Sequence, residues 1–263
     1  MASTLGLPPI RTVRWSAPFG WLYAAFADLG RAPVAALAYG LGMTVASIGL
    51  CLALYLSGMA IWALFLTLGF VFVAPMLAMG LYEAGRQIEA GQKPRLRSML
   101  ILPSAFRQDT AYLGLALLLL YLMWAQFAQI VYGLSTYQSH RTLADFSHFA
   151  LATGEGHSML ITGTIVGGAV AFFSFTLTVV SAPMLLDRQT NVFAAVATSF
   201  RAVSTNLGPM LLWAALIVTL LLITAATGFL AMIVTFPWLG LASWRAYRAL
   251  VGDLEPAAAG AMA

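Results

Sequence analysis

Six stretches of apolar residues, each of membrane-crossing length, punctuate the chain at about 33–55, 59–82, 112–132, 159–186, 209–227 and 229–247. A helix needs about 20 such residues to traverse the hydrocarbon core, and unpaired backbone groups are too costly in lipid for any open structure, so each run predicts a transmembrane helix. The links 56–58 and Gly228 are so short that runs one and two, and five and six, predict tight antiparallel hairpins. Aromatic rings recur at run ends, as at Tyr55, Tyr82, Tyr112, Tyr132 and Trp244, where amphipathic side chains favour the headgroup layer.

Short amphipathic segments precede several runs. Ser16 and Pro18 can start a helix in which Leu22, Phe26 and Leu29 share one face, with Asp28 and Arg31 elsewhere, ending near Pro33. The same grammar recurs at Phe193, Val196, Phe200 and Val203, with Arg201 off the stripe, and more weakly from Leu102 to Arg107. Such segments predict helices lying on the cytoplasmic surface or packing as caps on the bundle ends. Each even-numbered run also carries a proline one or two turns before its cytoplasmic end: Pro75, Pro183 and Pro237. Together these predict three parallel units of interfacial helix plus hairpin, with the prolines as candidate kinks. The expected fold is all-α, a polytopic membrane bundle of six transmembrane helices. Residues 1–32 form a cytoplasmic N-terminal segment with an amphipathic helix, 33–247 the transmembrane domain, and 248–263 a cytoplasmic tail.

Charge sets the topology. Of 13 Lys and Arg residues, all but Arg141 fall on one face of this arrangement, so both termini are expected in the cytoplasm. The chain is 61% hydrophobic and 8% charged, far below the roughly 25% charge of a soluble domain. The net charge of +4 follows from the positive-inside bias, with anionic headgroups rather than nucleic acid as its expected neighbours. The N-terminal residues do not read as a cleavable signal peptide, so the first run is the expected insertion signal.

Candidate chemistry is sparse. Asp28, Glu83, Asp109, Asp187 and Arg245 sit at run ends or in loops, which argues against a proton-coupled pump. Gln126, Gln129, Ser174, Thr176, Thr178 and Ser181 are the polar residues within runs, read first as interhelical hydrogen bonders and second as the lining of a narrow solute path. Gly163 and Gly167 form a small-xxx-small pair, and Gly40 and Gly42 a similar one, making these four the candidate helix-packing or partner-binding residues. His140, His148 and His157 share the one long external loop with Asp145 and Glu155, but nothing in their spacing enforces a metal site or a catalytic triad. Cys51 is alone, so neither an intrachain disulfide nor a thiolate cluster is expected. No His lies in a run, so no haem is expected, and no cofactor or metal is assigned.

Certain stretches are similar to a bacterial integral-membrane family of unknown function. They are Trp21-Leu22 with Asp28-Leu29-Gly30-Arg31-Ala32-Pro33 and Tyr39-Gly40; Ala74 through Glu83 with Arg86, Glu89 and Gly91; Thr198 through Val203 with Asn206 and Trp213; and Pro237 through Arg248. The resemblance implies six spans in a bacterial inner membrane and no mechanism. Relatives are sometimes labelled as cytochrome c oxidase subunits. Where the family usually carries His, this chain has Leu241 and Arg245, so no His-dependent role is carried over.

The function expected is an integral inner-membrane protein without catalytic chemistry of its own: an accessory component that binds another membrane complex, a respiratory one among the options, or a homo-oligomer. The alternative is a transporter or channel for a small or lipid-like molecule. A polar cavity near Pro75, Pro183 and Pro237 would favour the alternative, and a dry core there would weaken it.

Overall fold

The computed structural model describes residues 7–136 and 142–252. Twelve α-helices follow one another among these residues: α1 (Ala17–Arg31), α2 (Pro33–Leu56), α3 (Ala60–Leu77), α4 (Met79–Glu89), α5 (Leu96–Leu100), α6 (Gln108–Ser135), α7 (Leu143–Ala152), α8 (Gly154–Thr178), α9 (Ser181–Asp187), α10 (Val192–Thr205), α11 (Leu207–Ala226) and α12 (Met232–Leu250). The all-helical expectation holds, with one turn of 3₁₀-helix at Pro103–Phe106.

Four helical stretches are long and apolar enough to cross a membrane: Pro33–Leu56, Gln108–Ser135, Gly154–Asp187 and Leu207–Ala226. The pair Ile61–Leu77 and Met79–Glu89, bent by 40°, makes a fifth if it is one broken span. The sixth apolar run folds as α12, which is not among them. The reason lies in its composition and its place. Its last turns carry Ser243, Arg245 and Arg248, and it is buried in protein along most of its length, from Met232 to Leu250. By contrast, only 11% of the crossing window of α2, and the same share of α6, is buried within the chain. These helices form the periphery, where lipid is the solvent, and α12 is the axis around which α1, α2 and α4 pack.

Two runs break where the sequence reads as continuous. α3 ends two residues after Pro75, and the chain restarts at Met79. α8 ends at Thr178, and Pro183 sits in the first turn of α9, where its missing N–H deprives no helical bond. The α8–α9 break is repaired from outside. Ser199 of α10, fully buried, accepts from the Val180 amide at 3.2 Å and donates to the Thr176 carbonyl at 2.7 Å. Pro237 lies inside α12 without interrupting it. The link between α2 and α3 is residues 57–59, but that between α11 and α12 runs over 227–231, longer than the single Gly228 expected; Gly58 and Gly228 adopt φ of +71° and +59°, the left-handed conformation that glycine takes without steric cost.

The amphipathic segments form, but their buried faces differ from the expected stripes. In α1, Trp21, Leu22, Ala25, Asp28 and Leu29 are buried, while Phe19, Tyr23 and Phe26 are exposed. Asp28 has thus exchanged places with Phe26 because it has a cationic partner on α12. In α10 the buried side is Val192, Ala195, Thr198, Ser199, Ala202 and Val203, and Phe193 faces outward. Small residues win that face because α10 lies close against α8 and α9. Phe106 is exposed as well.

The two ends of the described chain meet. Ile10 and Val251 form an antiparallel bridge, with Arg11 N–H donating to Leu250 O at 2.8 Å and Gly252 N–H to Pro9 O at 2.9 Å. Asn206, at the α10–α11 junction, locks this strap: its Oδ1 accepts from Val13 N–H at 2.8 Å and its Nδ2 donates to Arg11 O at 3.1 Å.

Candidate functional site

Two regions concentrate structure that simple packing does not require. The first is a polar clamp at the end of the bundle where α1, α4, α9 and the last turns of α12 converge. Asp28 is 1% exposed. It takes Arg245 bidentately, from Nε at 2.6 Å and Nη2 at 2.8 Å, and Arg31 at 2.9 Å. Glu83 accepts from Arg86 through two bonds of 2.8 Å and from Gln87 at 2.7 Å. Glu89 of α4 holds Trp244 Nε1 and Arg248 Nε, both at 3.0 Å. Asp187 accepts from Tyr247 Oη at 2.7 Å, and Tyr247 in turn accepts from Arg188. Burial works to lower the Arg248 pKa, but the carboxylates of Glu89 and Asp187 outweigh it and hold the guanidinium above its ordinary value. Every carboxylate here is taken up by a cation, a tyrosine or an indole: Asp28, Glu89 and Asp187 tie α1, α4 and α9 to α12, while Glu83 is held within α4.

The second region is a cavity of about 780 Å³ at the opposite end of the bundle, between α3, α6, α8 and α11. It exists because α11 packs chiefly on α12, α1 and α10 and stands away from α3 and α8. Its wall is apolar and aromatic: Trp62, Phe65, Trp124 and Phe127 line it, and rings continue behind through Phe72 and Tyr121. Among the described residues, no Lys, Arg, Asp, Glu or His lines it. Such a volume falls within the range of small-molecule sites, roughly 300–1,000 Å³.

The residues singled out from the sequence divide between these regions. Gly163 and Gly167 both line the cavity, and a Cβ at Gly167 would lie 3.2 Å from Trp124 Nε1. Gly40 is a point of close approach between α2 and α12: a Cβ there would collide with the Ile233 carbonyl and reach Pro237 Cδ at 3.0 Å. Gly42 faces open space. Pro75 and Pro183 flank the helix breaks near the clamp. Around these prolines and Pro237 the bundle is filled by residues such as Leu81, Met184, Leu185, Met210 and Leu239, all buried. Among the polar residues of the runs, Gln129 lines the cavity, and Thr176 and Thr178 bond carbonyls of their own helix. Ser174 Oγ is buried without a partner. His157 Nε2 contacts Leu151 O at 2.9 Å, and His140 and Arg141 lie outside the described residues. Among the described residues no three metal-ligating side chains cluster.

Other close approaches carry no mark in the sequence. Gly85 lies under Trp244, Gly240 under Leu81, Gly69 against Tyr121 and Gly208 against Trp15, each leaving no room for a Cβ. Glycines at irregular spacing do not announce a seam, because each meets a different helix. Asp28 and Arg245, 217 positions apart, could not have been paired from local pattern.

These features define a helical integral membrane protein with a buried ionic clamp at one end and an apolar cavity at the other. Residues 61–187 match the model of a family described as "Predicted integral membrane protein (DUF2189)". The resemblance to an integral-membrane family of unknown function therefore stands on a stretch that runs from α3 through α9 and contributes three of the four cavity walls. No curated protein and no solved structure matches the chain.

Proposed function

We propose that this is a bacterial inner-membrane protein without catalytic chemistry of its own, and that it holds a lipid-like molecule in the cavity between α3, α6, α8 and α11. The observation that carries the reading is that cavity: an uncharged, aromatic-lined space within membrane-crossing helices, where the surrounding solvent is itself apolar. The dry packing around Pro75, Pro183 and Pro237 speaks against a polar solute path through the bundle. The protein crosses the membrane six times, with both termini cytoplasmic. The bridge between Ile10 and Val251 supports this, since it requires an even number of crossings and α12 runs back from α11 towards α1. The cavity then opens in the outer half, and the clamp lies at the cytoplasmic surface beside the exposed rings of Phe19, Tyr23, Phe106 and Phe193.

The accessory role keeps one specific support. The slot left by α11 beside α3 and α8 could equally seat an apolar helix of another membrane protein. One experiment separates the two. The tagged protein is purified in mild detergent from cells expressing it at native level, and the intact particle is weighed by native mass spectrometry. An apolar small molecule retained at one copy, and lost when Gly167→Leu fills the cavity, supports the ligand reading. A stoichiometric membrane partner replaces it with the accessory reading, and a particle with neither overturns both.

A further inference from the structure

We infer that the cavity takes an uncharged, long-chain molecule bearing a carbonyl group, and that the Trp124 indole N–H is the donor to that carbonyl. This rests on the cavity reading above and names the class of its occupant.

Trp124 is 9% exposed, and its Nε1 has no hydrogen-bond acceptor among the described residues. Among the described residues, the side-chain nitrogen and oxygen atoms that are fully shielded and unpartnered are Ser174 Oγ and Trp213 Nε1, so Trp124 Nε1 keeps open space beside it. That space is the cavity, because Trp124 and Gly167 both line it. Gly167 keeps the indole edge accessible: a Cβ there would crowd Nε1 at 3.2 Å and Cδ1 at 3.8 Å. In a hydrocarbon medium no water takes up a free N–H, so a donor left there favours any occupant that supplies an acceptor.

The occupant's charge and position follow from the same wall. Among the described residues the lining carries no ionised group, so a charged headgroup would meet no partner there. Trp124 stands near the middle of the 28-residue α6. It is eleven residues from the end at Ser135, or roughly 16 Å at 1.5 Å per residue. An acceptor that reaches this depth belongs to a molecule free to move within the hydrocarbon layer, not to a phospholipid whose polar end is held at the surface. Trp62, Phe65 and Phe127 add flat faces on which a ring can stack. Two sources share this chemistry: a quinone with an apolar tail, and a neutral long-chain ester or ketone.

The test uses the full chain in detergent with three probes: a decyl-substituted benzoquinone, methyl oleate, and 1-octadecene as a chain without a carbonyl. Bound probe is quantified by mass spectrometry after gel filtration over a concentration series. Wild type is expected to retain at least one carbonyl probe more tightly than octadecene. Trp124→Phe keeps the ring and loses the donor, and should weaken the carbonyl probe about fivefold, the loss of one hydrogen bond, while octadecene is unchanged. Gly167→Leu should remove all three. Where that variant does not fold, Thr164→Leu, also on the lining, replaces it. Retention of the quinone alone or the ester alone identifies the source and supports the inference. Equal binding of carbonyl probes by wild type and Trp124→Phe overturns the donor assignment while leaving the cavity reading intact. Undiminished binding in the cavity-filled variants overturns the cavity reading itself.

Discussion

Replacing Arg245 by Met should damage the protein more than replacing Asp28 by Asn, although both break the same pair. The Asp28 side chain is 2% exposed and receives two bonds from Arg245 and one from Arg31, whose own side chain is 63% exposed. Arg245→Met leaves a carboxylate in a nearly dry site with one mobile partner. An uncompensated buried charge costs about 3–5 kcal/mol, and the surviving Arg31 bond puts this case near 3 kcal/mol. Asp28→Asn leaves instead a guanidinium that is 28% exposed and can turn to water, so the loss is that of a charged hydrogen bond, about 1.5 kcal/mol. At about 2–4 °C per kcal/mol for a chain of this size, the unfolding midpoint should fall by roughly 6–12 °C in the first variant and 3–6 °C in the second. The double variant Asp28→Met with Arg245→Met removes both charges and should recover part of the Arg245→Met loss. The assay is thermal unfolding in one detergent, followed by intrinsic tryptophan fluorescence. A milder effect for Arg245→Met than for Asp28→Asn, or a double variant worse than the sum of the singles, would refute the claim that Asp28 is a desolvated charge held by α12.

Ser199→Ala removes the bridge across the α8–α9 break and leaves the Val180 amide and the Thr176 carbonyl buried; a loss of about 2–3 kcal/mol is expected in the same assay, and an unchanged midpoint would mean the break is satisfied otherwise. Gly40→Ala should cost about 1–3 kcal/mol by forcing α2 from α12, whereas Gly42→Ala, facing open space, should be neutral or slightly stabilising; equal effects would deny the close contact. The folded pKa of Arg248 is raised, so the stability it contributes is complete below the ordinary arginine value and is lost only as pH rises beyond it. The difference in midpoint between wild type and Arg248→Gln should therefore stay constant over about pH 6–10, and a marked fall across that window would contradict it.

The apolar runs were readable because lipid imposes a local rule. A crossing segment must satisfy its own backbone and present apolar side chains over about 20 residues, and both demands are met within one contiguous stretch. Hence α2, α6, α8 and α11 fall close to where the pattern predicts them. The amphipathic segments were legible as helices, but their orientation was not. The pattern in α1 pointed Phe26 inward and Asp28 outward, because it could not know that Arg245 would stand opposite. Likewise Ser199 read as an ordinary helix residue, and its use became visible only beside the break at Val180.

Sequence by itself determined the helical class and the lipid-facing segments, since each depends on nearest neighbours and the solvent. Tertiary structure alone decided that the last apolar run is the buried axis of the bundle, that Gly40 and not Gly42 is a contact, and that Gly163, Gly167 and Trp124 border one cavity. Those outcomes depend on which distant helix lies opposite. In a chain whose lipid-facing and protein-facing surfaces are equally apolar, hydrophobic periodicity carries no record of that choice.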